Sequence, residues 1–155
     1  MRYKRVRRLG TTGALVAAAL GTSIVFTPSS ASAAGDWWCY GAQVKRCVTV
    51  WWDETADTYR ARAKITDVAG GGSYQVKVNN VKLQRTSSTG GYVTLRSTTD
   101  NDGWHDAEDL AGTTTVNPCA WPQQSFSVVA TFSWKGASSG VKTWRPNNAW
   151  GHLCD

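Results

Sequence analysis

The stretch Ser97–Asp109, STTDNDGWHDAED, gathers five carboxylates in its last ten residues, with a glycine, a tryptophan and one of the chain's two histidines. Read as a calcium loop, Asp100, Asp102, Gly103, Asp106 and Asp109 fall at positions 3, 5, 6, 9 and 12 of the twelve-residue pattern, and Trp104 supplies its carbonyl at position 7. Hard oxygen donors would surround the ion while glycine permits the sharp bend. Two residues depart from the pattern: Thr98 stands at position 1 and the short Asp109 at position 12. The flanking segments read as strand and coil, which argues against a helix–loop–helix hand. The competing reading, a solvated acidic loop from Thr98 to Gly112 with a turn at Asp102-Gly103, is preferred. Calcium remains the one cofactor the sequence suggests.

Other residue types raise chemistry that their context does not support. GASSG, Gly136–Gly140, matches the G-x-S-x-G elbow that exposes a nucleophilic serine, here Ser138. That elbow needs a strand before it and a helix after it, whereas this segment lies between two strand patterns. His105 beside Asp106, or His152, would need an identifiable partner to act as a general base. Paired carboxylates in the acidic loop would need a substrate cleft. The sequence leans away from an enzyme.

Aromatic residues are the more informative surplus. All nine tryptophans fall after residue 33. Trp52 and Trp134 fit core faces, and Trp37, Trp38, Trp144 and Trp150 lie near cysteines, where they would plug the ends of the fold. Trp51 points away from the core, with Arg60 directly across the hairpin. It forms either a surface cation–π pair or a platform for a sugar ring, flanked by Arg60, Arg62 and Thr49. Trp51, Arg60, Arg62, Trp104 and Trp144 are therefore the candidate ligand-binding set.

The elements that must position these residues are strands. In CVTVWWDETADTYRARAKI, Trp52 would face Tyr59, Val50 would face Ala61 and Val48 would face Ala63, with Asp53–Thr58 as the connection. This is period-two alternation on both arms, with one buried face and one wet face. SYQVKVNNVKLQR changes apolar parity at Asn79-Asn80, which makes either a two-residue turn or, as preferred, a bulge in one long strand. The turn would set Lys77 against Lys82. YVTLRST, SFSVVATFSWKG and VKTWR supply further strands. No sustained helical period appears. The expected fold is an all-β antiparallel sandwich, with a small barrel as the alternative.

The first 33 residues read as a secretory signal peptide. Five basic residues in MRYKRVRR precede an apolar run, and Ala31-x-Ala33 marks a cut before Ala34. Arg7-Arg8 lacks a twin-arginine context, so the general export route is expected. No lipid-attachment cysteine lies near the cut, and nothing later is apolar enough to cross a membrane. Residues 34–155 then form a single domain. The precursor's charge of +6 comes mostly from the leader, and the remaining part carries twelve basic against eleven acidic residues. A nucleic-acid partner is not expected from so weak a field.

All four cysteines lie in the exported part. An even count there reads as two disulfides, Cys39–Cys47 and Cys119–Cys154, with zinc disfavoured because no CxxC occurs. The functional expectation is a secreted, monomeric, non-catalytic module that binds a polysaccharide or other cell-surface ligand through exposed aromatics. The alternative is a secreted inhibitor or effector that acts on another protein through its loops, and a small hydrolase ranks third.

Overall fold

The computed structural model describes residues 36–69, 72–122 and 124–147, together with the backbone of 150–151. The leader, His152, Cys154 and the Trp150 side chain lie outside the described residues. Among the described residues, nine strands form two antiparallel sheets. The first sheet runs in the order β1 (Trp38–Tyr40), β2 (Val44–Asp53), β3 (Thr58–Asp67), β6 (Glu108–Gly112). The second runs β5 (Tyr92–Thr99), β4 (Tyr74–Thr86), β7 (Ser125–Gly136), β8 (Gly140–Trp144), and β9 (Trp150–Gly151) pairs with the start of β7. These are two separate sheets, not a closed barrel. The only helical turn among the described residues is Pro118–Ala120, capped by Asn117 Oδ1, which accepts from the Cys119 amide at 2.8 Å.

Alternation decides which side chains enter the core. On β2 and β3, Val48, Val50, Ala61, Ala63 and Ile65 point inward and are fully buried. The register pairs Val48 with Ala63, Val50 with Ala61 and Trp52 with Tyr59, as the two-residue period predicts. On β4, Val76 and Val78 point inward, and after a bulge between Val78 and Asn80 the parity changes to Val81 and Leu83. The extra residue lets one strand keep an apolar face across the interruption. Phe126, Val128, Ala130 and Phe132 on β7 close the core from the second sheet. The small Ala61 and Ala63 of β3 belong to the same buried cluster as the Phe126 and Phe132 rings.

Two expectations need correction. The outer face of the β2–β3 hairpin is not uniformly wet: Cys47 and Thr49 are buried there. Thr49 lies opposite Arg62, whose guanidinium stands over Trp37 and Trp51 on the same face. The Thr98–Gly112 loop is also shorter than expected, because β5 runs on to Thr99 and β6 begins at Glu108. Of the two expected disulfides, Cys39–Cys47 is formed, clipping β1 to β2 where the register sets the two residues opposite each other. Cys119 is also disulfide-bonded, whereas Cys154 lies outside the described residues. No described helix is long and apolar enough to cross a membrane.

Candidate functional site

The acidic stretch is a crossing between the sheets. β5 pairs with β4 only over Asn80–Thr86, leaving the first half of β4 with an open edge. The crossing fills it. His105 exchanges two backbone hydrogen bonds with Val76, at 2.8 and 3.0 Å, and the Asp100 amide donates to Asn79 O at 3.1 Å. Asp109, an inward residue of β6, is 3% exposed, and its Oδ2 accepts the Val78 amide at 2.6 Å. A carboxylate thus takes the place of a strand carbonyl, satisfying a donor that would otherwise be buried alone.

The same crossing brings Asp102, His105 and Asp109 together, with one potential ligand atom from each lying within 4.8 Å of the others. Asp102 Oδ1 lies 3.2 Å and Asp109 Oδ1 3.8 Å from His105 Nε2. The shorter approach is an ion-pair contact without full hydrogen-bond alignment, because Nε2 has no aligned partner among the described residues. Contact with Asp102 nevertheless raises the His105 pKa, and His105 in turn holds the Asp102 carboxyl below its ordinary value. Burial raises Asp100. Of the proposed calcium ligands, Asp106 is drawn elsewhere, since its Oδ1 accepts from Gln75 Nε2 at 3.0 Å. The set that converges contains an imidazole, which suits a borderline transition metal better than calcium's all-oxygen shell.

The outer face of the first sheet carries a ladder of cations and indoles. Trp51 lies under Arg60 at 5.9 Å and under Arg62 at 4.9 Å, while Trp37 lies under Arg62 at 6.0 Å and Lys64 at 5.6 Å. Burial, and then the neighbouring Arg60 charge, lower the Arg62 pKa. Trp51, Arg60 and Arg62 are indeed neighbours, but the cations already stand over the rings that a sugar would use.

Aromatic surface of another kind lies along the seam where β1 approaches β8. Gly41, at φ +105°, turns the chain so tightly that a Cβ there would meet Val44 O at 2.2 Å. The turn presents Tyr40, 55% exposed, whose ring stacks on Trp144 at 5.5 Å and 22°. Trp144 donates its indole N–H to Trp38 O at 3.4 Å, so it is a packing residue of the seam. Arg46 follows the inward parity of Val44 and Val48, and its guanidinium carbon stands 4.9 Å from the ring centroids of both Tyr40 and Trp134. Burial lowers its pKa, with Tyr40 pulling the other way.

Two grooves meet at Trp134. One, of about 470 Å³, is lined by Tyr40, Gln43, Arg46, Tyr74, Trp134 and Ser138. The other, of about 420 Å³, is lined by Trp104, Ser133, Trp134, Lys135, Ser139 and Val141, with Gly140 at its base. Trp104 is 42% exposed, with Lys135 Nζ 4.5 Å from its ring centroid. Gly140 makes the shared wall possible, because a Cβ there would lie 2.3 Å from the Trp134 indole. Ser138 lies in the β7–β8 turn, and a strand, not a helix, follows it.

Of the five aromatic-site candidates, only Trp104 lines either groove. Tyr40, Arg46, Trp134 and Lys135 were missed as site residues. Arg46 had a signal: in VKRCVTVWW the alternation that buries Val44, Val48 and Val50 turns this arginine inward as well. No protein-family model matches the chain, and a search of curated proteins finds no match.

Proposed function

We propose that the chain is a secreted, non-catalytic binding module that holds a polysaccharide or another cell-surface ligand against its seam. The observation that carries this reading is the groove shared by Trp104 and Trp134. One indole is exposed, the other is half-buried and fixed flat over Gly140, and serines 133 and 139 stand beside them. Indole faces with polar neighbours suit the apolar faces and hydroxyl rims of sugar rings. Export follows from the leader at residues 1–33, cut near Ala33/Ala34. A second bridge, Cys119–Cys154, would fasten the chain's end to the body of the domain, and the domain would act as a monomer.

Retention on insoluble glucan, chitin and peptidoglycan, with tryptophan fluorescence titrations against the soluble sugars, tests the reading. Trp104→Ala should abolish retention, whereas Trp51→Ala, on the occupied ladder, should leave it. A folded parent protein that is retained by none of the three and responds to none of the sugars removes the reading.

A further inference from the structure

Arg46 is only 7% exposed, yet its buried Nε has no hydrogen-bond partner and its guanidinium forms no ion pair with any described residue. The fold treats other half-buried arginines differently. Arg85 donates to Gln124 Oε1 at 2.6 Å, and Arg145 donates to Gln84 Oε1 at 2.5 Å and Ser127 Oγ at 3.3 Å. Arg60 also lacks a described hydrogen bond, but it stands over Trp51 on the open outer face of the sheet. Arg62 too stands over two rings, Trp51 and Trp37, but on the half-exposed outer face, so among the described arginines only Arg46 is both buried and set against two rings. That arrangement leaves its N–H edge as the direction in which bonds can form.

A desolvated cation without an anion is costly. An arginine fork is matched in shape to a planar, singly charged oxoanion. The surroundings add neutral donors. Tyr74 donates its hydroxyl to Gln43 Oε1 at 2.8 Å, which engages the amide oxygen and leaves the NH2 as the group that can donate, and Gln43 and Ser138 line the same groove. Neither groove is lined by an aspartate or glutamate, and each is lined by one cation, Arg46 in the first and Lys135 in the second. Trp134 is the wall between them. Two neighbouring sites, each with an aromatic surface and one positive charge, fit a chain of rings bearing negative charge at regular intervals.

We infer that the seam takes an acidic saccharide, with Arg46 holding the singly charged acid group of one ring while a neighbouring ring rests against Trp104 and Trp134. The inference rests on the binding-module reading and narrows its ligand class.

The test is calorimetric titration of the folded protein with three probes: an oligogalacturonate, the same oligomer with its carboxylates reduced to primary alcohols, and a sulfated galactan oligomer. Oligogalacturonate should bind about tenfold or more tightly than its reduced counterpart, the difference expected for one charge-assisted hydrogen-bonded pair. Arg46→Gln should erase that preference, while Arg46→Lys should retain part of it. The comparison of acid with reduced oligomer uses the parent protein alone, so it decides the matter even where a variant fails to fold.

A preference for the sulfated oligomer over the reduced one supports the charge requirement and assigns the acid group as sulfate. Equal affinity for charged and reduced oligomers overturns the inference and leaves the binding-module reading standing. Acid-dependent binding that survives Trp104→Ala but not Arg46→Gln keeps the anion site and removes the aromatic platform. Binding of none of the three overturns the inference.

Discussion

Asp109 and Arg46 are each almost wholly buried, 3% and 7% exposed, and their surroundings use them in opposite ways. The Asp109 carboxylate is engaged by the Val78 amide, the donor that its own strand crossing leaves without a carbonyl. Arg46 is enclosed by rings that cannot accept its N–H groups in the plane of the guanidinium. A buried charge whose hydrogen bonds close on the backbone completes the fold. One whose donors stay open, beside a groove, completes it only when something else arrives. The Trp–Arg ladder of the outer face makes the same point in another way: its rings and cations are numerous, but they face one another.

The sharpest way to break this contrast is to remove Asp109. Asp109→Ala leaves the buried Val78 amide without an acceptor and should cost about 2–3 kcal/mol of unfolding free energy by chemical denaturation. Asp109→Asn, which keeps an oxygen in place, should recover most of that. A loss below about 0.5 kcal/mol for the alanine variant would mean that water or a shifted strand does the work assigned to the carboxylate.

Arg46 should behave differently. In Arg46→Met, two cation–π contacts of about 0.5–1 kcal/mol each are exchanged for relief from desolvation, so stability should change by less than about 1 kcal/mol in either direction. Equilibrium unfolding beside the titrations described above measures both sides of the trade. A loss as large as that of Asp109→Ala would make Arg46 a structural strut and dissolve the contrast.

The smallest effect concerns the exposed partners around Asp109. The His105 pKa is raised above 6.5 by Asp102, so its contribution is complete below that value and fades as pH rises through the raised one. The Asp102 pKa is lowered below 3.8, so its contribution is complete above that value and fades as pH falls through the lowered one. The pair should therefore stabilise most between pH 3.8 and 6.5. A melting-temperature profile should show a shallow rise over that window that Asp102→Asn flattens. An unchanged profile in the variant would show that the contact carries no linkage.

The sheet architecture was legible wherever side chains alternate without interruption. The β2–β3 register, the long β7 and the bulge in β4 all follow from period-two patterns and from the cost of setting Lys77 against Lys82. β1 was missed because WCY is too short to show a period, and because its place depends on the Cys39–Cys47 clip. β6 was missed because its charged tip, Glu108-Asp109, reads as loop, although Asp109 is an inward strand residue. The site was less legible than the fold. Sequence reasoning sorted tryptophans by polarity of context, but their availability depends on what covers each ring, and that is set by residues far away in the chain. Trp51 has an exposed parity and is covered by cations. Trp134 has a core parity and forms the wall of two grooves.

The indole of Trp134 rests on an absent side chain. Because no L-residue other than glycine fits beneath it at position 140, the two positions cannot drift independently among descendants of this sequence. A smaller residue at 134 would free position 140 to vary, and the loss of glycine at 140 would force the ring out. Wherever the pair persists together, both hollows persist with it, which makes that joint retention a genetic marker of a working seam.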